Sequence, residues 1–279
     1  MKTTHKIAAA RAIYQVIHAG RALIGRTDHQ VVNRNGIAYD LDLAQGIDFA
    51  IYLGFYERQT SAALGRLVRP GSLVLDIGAN IGAHTLTLAH LVGPAGRVLA
   101  FEPTDYAFTK LGKNLALNPE LARRVTANHC FLAGADAGPV PSAIYSSWPL
   151  AHETGLHAKH LGREMKTEAA RARSIDSILA ESADRPVSLV KLDVDGFECD
   201  VLKGATKLLS ETRPVFVMEL APYVLEERGA SLAELISFFV PHGYRFYHES
   251  TNAVLPSAAA ELSGMIADGG SMNIVARVD

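Results

Sequence analysis

The sequence reads as an α/β protein built on a mostly parallel sheet with helices on both faces. Two observations lead there. Short apolar runs alternate with stretches of helical periodicity along most of the chain, and such alternation produces parallel strands joined by crossover helices. In addition, the first of these runs passes through a glycine-rich turn directly into a helix pattern. No internal repeat or low-complexity tract competes with this reading.

Taken in order, residues 6–24 carry Ile7, Ala10, Ile13, Tyr14, Ile17 and Leu23 at helical spacing, interleaved with Arg11, Gln15, His18 and Arg21, which predicts an amphipathic helix. Residues 31–43 predict a hairpin about Arg34-Asn35-Gly36, and 46–68 read as mostly helical. Pro70-Gly71 closes this N-terminal part, giving a helix, hairpin and helical cap over 1–70 and a main domain over 71–279. In the main domain the apolar runs are 73–75, 98–101, 125–127, 189–192 and 215–218, with helices expected at 82–91, 105–117, 174–182 and 198–209. Residues 243–247 and 271–278 are candidate closing strands. The stretch 134–172 holds Pro139, Pro141, Trp148 and Pro149 without regular periodicity; long irregular inserts in compact domains are often functional, and a substrate loop is expected here.

Composition narrows the function classes. The 279 residues are 48% hydrophobic and 20% charged, with a formal net charge of −2. That is an ordinary globular balance with no global basic field to recruit nucleic acid or anionic lipid. Arg163, Lys166, Arg171 and Arg173 read as a solvated basic face. Cys130 and Cys199 match neither a zinc nor a disulfide-framework spacing. No window approaches the roughly 18 apolar residues of a membrane span, and the N-terminus lacks a signal-peptide stretch. A cytoplasmic protein with a small-molecule partner, without nucleic acid or membrane, is expected; a homo-oligomer stays open.

The segment Asp76-Ile77-Gly78-Ala79-Asn80-Ile81-Gly82 decides the cofactor. A glycine-rich strand-to-helix turn lets a ligand approach the backbone closely. A dinucleotide turn wants G-x-G-x-x-G with the pyrophosphate on the helix N-terminus, but this chain has G-x-N-x-G preceded by the carboxylate of Asp76. Two unit charges about 6 Å apart at an effective dielectric of about 20 interact by roughly 3 kcal/mol. The sign is repulsive toward a diphosphate and attractive toward the sulfonium and ammonium of S-adenosylmethionine. Glu102, followed by Pro103, closes the next strand, where an acidic residue can accept hydrogen bonds from ribose hydroxyls. Each has a plainer reading, Asp76 as a helix cap and Glu102 as a strand-end charge.

These stretches resemble the FkbM-type methyltransferases, mostly small-molecule O-methyltransferases. The resemblance is carried by Gly54-Phe55-Tyr56-Glu57, the segment 76–82, Phe101-Glu102-Pro103 and Asn114-Leu115-Ala116-Leu117-Asn118. Further on come Ser174-Ile175-Asp176, Lys191-Leu192-Asp193-Val194-Asp195-Gly196-Phe197-Glu198, Val201-Leu202-Lys203-Gly204-Ala205 and Arg213-Pro214-Val215-Phe216-Val217-Met218-Glu219. It implies a Rossmann-like class I methyltransferase fold, with a seven-stranded sheet whose last strand is antiparallel. It also implies that Glu57 sits close to the cofactor. The family usually has Glu or Gln where this chain has Asp195.

On this reading the cofactor is held by Glu57, Asp76, Gly78, Ala79, Asn80, Gly82, Glu102, Pro103 and Asp193. The chemistry sits beyond the carboxyl ends of the strands. Asp193 is the first candidate for a base that takes a hydroxyl proton, Glu219 the second and His84 the third. Asp193 reads equally as an orienting group, and His84 as a surface histidine. Lys191 shares the face of Asp193 and can neutralise it. Strand-end carboxylates also suit Mg²⁺ in catechol-type enzymes, but Glu219 is followed by Leu220 rather than by the second ligand expected there, so a metal is not favoured. Methylation at nitrogen or carbon, and a non-catalytic cofactor-binding module, are the alternatives.

Overall fold

The computed structural model describes residues 3–151, 153–157 and 161–279, with side chains from Ile7 onward. Its centre is an eight-stranded sheet. From one edge the strands run Val254–Leu255, Arg245–His248, Met272–Arg277, Val215–Leu220, Val187–Leu192, Leu73–Ile77, Arg97–Phe101 and Val125–Asn128. The pairings from Val215–Leu220 to Val125–Asn128 are parallel, and Met272–Arg277 is antiparallel to both its neighbours. The seven expected strands are all in this sheet; the two-residue Val254–Leu255 adds an eighth at the edge.

Side-chain alternation splits the central strands between two cores. Leu73, Leu75 and Ile77 join Leu99, Phe101, Leu192, Phe216 and Met218 on one face. Val74 joins Val98, Leu189, Val217 and Val275 on the other. Both faces are covered, so Leu73–Ile77 is buried at every position. The strand runs one residue past Asp76, which therefore lies inside it rather than closing it.

Helices Ala83–Leu91, Asp105–Ala116 and Ile175–Ser182 follow the sequence closely. The last begins where the Ser174 side chain accepts from the Ser177 amide, a standard helix start. The expected helix 198–209 is interrupted: Glu198–Lys203 ends at Gly204, where a Cβ would lie 2.1 Å from the Ala133 carbonyl oxygen, and helical structure resumes into the π-helix Leu208–Thr212.

The N-terminal part forms helix Thr3–Leu23, the hairpin His29–Arg34 with Ile37–Asp42, and helices Gly46–Leu53 and Arg58–Leu67. It shares a core with the main domain: Tyr14, Ile37, Tyr39, Leu41 and Phe49 pack with Ile81, Leu86 and Ala107. Asn114 and Asn118 tie the two together by accepting from the amides of Asp40 and Ala38.

The stretch 134–172 is more regular than its sequence suggests. Ala143–Ser146 and Arg163–Lys166 form an antiparallel hairpin, and Arg171–Arg173 pairs in parallel with Cys130–Leu132. Its prolines lie outside these strands, where a missing amide donor costs nothing. The hairpin is tied to the N-terminal part at Gly46, whose amide donates to Trp148 O at 2.8 Å and where a Cβ would lie 2.2 Å from the indole. Three of the four basic residues expected as a solvated face meet acids or rings: Lys166 with Glu168, Arg173 with Glu181, and Arg163 over Tyr106.

Candidate active site

A cavity of about 450 Å³ opens at the carboxyl edge of the parallel strands, where open α/β sheets hold their ligands. Gly78 and Asn80 form one wall, Glu102, Pro103 and Thr104 the next, and Asp193, Asp195 and Glu219 the far side. Ile47, Phe55 and Trp148, from the N-terminal part and the hairpin, also face it. A second cavity of about 360 Å³ shares Glu57, Asp193, Glu219 and Ser271 with the first.

The glycine turn is built by close approach. Gly78 has φ +79°, and a Cβ there would stand 1.8 Å from the Asp193 carbonyl oxygen, so only glycine fits. The amides of Gly78 and Ala79 both donate to Phe101 O, and the Asp193 amide donates to Ile77 O. Asn80, also left-handed at φ +48°, donates its amide to Glu102 Oε2 at 2.9 Å. Glu102 Oε1 accepts from the amide and hydroxyl of Thr104 at 2.9 and 2.5 Å. Burial pushes the Glu102 carboxyl up, against these bonds. Gly78, Asn80, Glu102 and Pro103 line the cavity; Ala79 and Gly82 support the turn from behind.

Asp76 stands elsewhere than its sequence position suggested. It is fully buried and lines neither cavity, because within a pleated strand its side chain projects into the layer under the turn. There Oδ2 accepts from the Thr85 hydroxyl at 2.6 Å and Oδ1 lies 3.8 Å from Lys191 Nζ. Lys191 also donates to Gly78 O at 3.0 Å and approaches Asp193 Oδ2 at 3.3 Å. Burial opposes its charge, but Asp193, Asp76 and Glu57 together hold its pKa above the ordinary lysine value. One ammonium thus joins the two central strands beneath the cavity floor.

His84 is likewise displaced from the expected role. It is buried, lines neither cavity, and places Nε2 2.6 Å from Glu57 Oε2. Its helix directs the ring at Glu57, which does face both cavities. Burial pushes Glu57 up, but the hydrogen bond and charge of His84, with Lys191 and Tyr56, outweigh it and hold the carboxyl at about 2.

Asp193, Asp195 and Glu219 converge as expected of the strand ends. Burial, with Asp193 and Glu198 close by, pushes Asp195 up to about 7. Burial, with Asp193 and Asp195 close by, pushes Glu219 up to about 8. Asp195 adopts φ +50°, a conformation a non-glycine residue holds only when its surroundings enforce it. Among the described residues no three of His, Cys, Asp or Glu stand together as a metal site.

Residues 76–246 match the Methyltransferase FkbM domain. The chain belongs to the FkbM methyltransferase family. Among its relatives, Methyltransferase sdnD of Sordaria araneosa is 30% identical over 156 residues, covering 47% of this chain and 59% of that protein. The 31-O-demethyl-FK506 methyltransferase FkbM of Streptomyces tacrolimicus is 27% identical over 205 residues, covering 63% of this chain and 74% of that one. The chain therefore spans less than two thirds of the length of the first of these relatives. Among solved structures, an S-adenosylmethionine-dependent O-methyltransferase of Thermotoga maritima is 15% identical, covering 93% of this chain and 81% of that one, with a TM-score of 0.44.

The donor set of this FkbM-family site suits S-adenosylmethionine. Five carboxylates, Glu57, Glu102, Asp193, Asp195 and Glu219, line the first cavity, and among the described residues no lysine, arginine or histidine does. A cavity walled by acids without a facing cation is complementary to a cationic ligand. Asp195 was legible as the second acid of Asp193-Val194-Asp195, and Trp148 only as part of the expected substrate loop 134–172. Ser146 and Glu249 reach the strand ends from distant segments, and no local pattern marks them.

Proposed function

We propose that this chain is an S-adenosylmethionine-dependent methyltransferase acting on a hydroxyl of a small molecule. The observation that carries this is the first cavity: five carboxylates around a glycine turn at the strand ends, with no basic side chain among the described residues that line it. Membership of the FkbM methyltransferase family supports the transferase reading, and the similarity to a 31-O-demethyl-FK506 methyltransferase supports a hydroxyl acceptor.

The cofactor, when bound, supplies an electrophilic methyl on a sulfonium. The chain supplies the rest. Glu102, whose oxygens are already oriented by Thr104 and Asn80, offers its remaining lone pairs to ribose hydroxyls. Asp193, Asp195 and Glu219 would hold the positive end of the ligand, and Trp148, Phe55 and Ile47, which line the same cavity, would limit water there. Holding the acceptor oxygen in line with the methyl is worth roughly 7–11 kcal/mol of the barrier in favourable cases.

The hydroxyl proton has two candidate destinations. Asp193 already shares its charge with Lys191. Glu219 has no ion pair among the described residues, and burial raises its proton affinity to about pH 8; a base works best when its pKa lies near the working pH. Glu219 is therefore the proton acceptor, and Asp193 orients the cofactor and Lys191.

The test is transfer of isotope-labelled methyl from S-adenosylmethionine into a panel of hydroxylated metabolites, alongside thermal shifts with S-adenosylmethionine, S-adenosylhomocysteine and NAD. The first two ligands raise the melting temperature and NAD does not. Stabilisation by NAD with indifference to the sulfonium compound would overturn the reading.

A further inference from the structure

The second cavity contains a buried carboxylate that the cofactor site does not use. Glu249 is 2% exposed and lines that cavity, and its Oε1 has no hydrogen-bond partner. A buried acceptor atom without a partner costs folding free energy, and a donor on a ligand in this cavity would satisfy it. Thr60 and Asn273, hydrogen-bonded to each other at 3.1 Å, line the same space and favour the ionised Glu249 carboxyl by hydrogen bonding, which leaves Oε1 as the open acceptor. None of Gly78, Asn80, Glu102 or Pro103 reaches it, so the glycine turn and the ribose-binding position belong to the first cavity alone.

The charges facing this space are unequal. Glu57, Asp193, Glu219 and Glu249 line it, against Lys191 and His248. Lys191 is already engaged by Gly78 O, Asp193 and Asp76. His248 Nδ1 is engaged by the Ser250 amide and hydroxyl. Glu57 is engaged by His84. The cavity therefore offers hydrogen-bond acceptors in excess, and its lysine is committed within the fold.

The geometry points to the second cavity as the acceptor subsite, with Glu249 receiving a hydroxyl or ammonium donor of the acceptor and the acid-rich walls rejecting acceptors that carry a carboxylate or phosphate. This rests on the methyltransferase reading, since the shared wall of Glu57, Asp193 and Glu219 is where acceptor and methyl meet. Separately, burial raises the Glu249 carboxyl against the hydrogen bonding of Thr60 and Asn273, and a further donor entering the cavity relieves it.

Three two-carbon probes of one skeleton test it: ethanolamine, ethylene glycol and glycolate. They are titrated into the full chain, with and without S-adenosylhomocysteine, and followed through the Ser250 and Asn273 amide resonances. Ethanolamine and ethylene glycol are expected to move these resonances saturably, with ethanolamine binding roughly tenfold or more tighter than glycolate. Glu249→Gln is expected to remove most of that preference, and Glu249→Asp to retain part of it, which keeps the test available if one variant fails to fold. Glycolate binding as tightly as ethanolamine, a preference unchanged in Glu249→Gln, or no saturable shift with any probe would each overturn the inference. Calorimetry of S-adenosylhomocysteine on the wild-type chain separates the two readings. Loss of that binding sinks the methyltransferase assignment, whereas intact binding with silent probes sinks only the acceptor subsite.

Discussion

The two halves of the carboxyl edge use the same residue type in opposite ways. Toward the ends of Leu73–Ile77 and Arg97–Phe101, the acids are held inside the fold by a cation or by backbone amides. Asp76 meets Thr85 and Lys191, and Glu102 meets Thr104 and the Asn80 amide. At the ends of Val187–Leu192 and Val215–Leu220, Asp195 and Glu219 face a cavity close to Asp193, each relieved only by a serine hydroxyl, Ser146 or Ser271. An acid held by a cation or by backbone amides shapes the backbone around it, whereas one without either keeps a raised proton affinity at the cavity wall. Similar acids in a sequence thus differ according to the partners that the fold provides.

The contrast can be broken at its most buried point. Asp76→Ala removes a carboxylate from beside Lys191, with both groups almost fully out of water. Breaking such a pair costs about 3–5 kcal/mol, which urea unfolding would register; a loss under about 1 kcal/mol would place Asp76 among the ligand-facing acids instead. In the other half the loss should fall on turnover. Glu219→Gln is expected to lower kcat by about 10²-fold or more with a much smaller change in stability, and Asp193→Asn to affect kcat less than Glu219→Gln does. If the ranking of those two variants reverses, Asp193 is the base.

Acidity sharpens the comparison next. Unfolded carboxyls release their protons near pH 4, whereas the folded chain holds them to about 7 at Asp195 and about 8 at Glu219. Between those values the folded state binds more protons, so the stability of the ligand-free protein falls as pH rises through that window. Glu219→Gln should flatten the slope. A cationic ligand favours the ionised acids, so S-adenosylmethionine should displace a fraction of a proton near pH 7, detectable by calorimetry in buffers of different ionisation enthalpy. Proton uptake on binding would contradict the arrangement. The smallest effect belongs outside both halves: Glu120→Ala, in an exposed pair with Arg123, should change unfolding stability by less than about 0.5 kcal/mol.

Much of the fold was legible because it is periodic. The runs at 73–75, 98–101 and 189–192 are strands buried on both faces, and their apolar continuity follows from that burial. The glycine turn was legible for a related reason, since Gly78 leaves no room for a Cβ against Asp193. The stretch 134–172 was not, because its strands are three or four residues long and their partners lie on other segments. Nor were the places of Asp76 and His84 legible. Both stand beside the glycine turn in sequence, yet one projects into the layer beneath it and the other toward Glu57.

The sequence by itself determined the α/β alternation, the turn that brings a ligand to the strand ends, and the family. Those features rest on local backbone geometry and on which residues tolerate burial, and neighbouring positions encode both. Only the tertiary structure decided which carboxylates are neutralised and which stay open to a ligand. Charge pairing is set by distances of 3–4 Å between segments far apart in the chain, such as Lys191 with Asp76 at 3.8 Å, and spacing along a sequence carries no record of such distances.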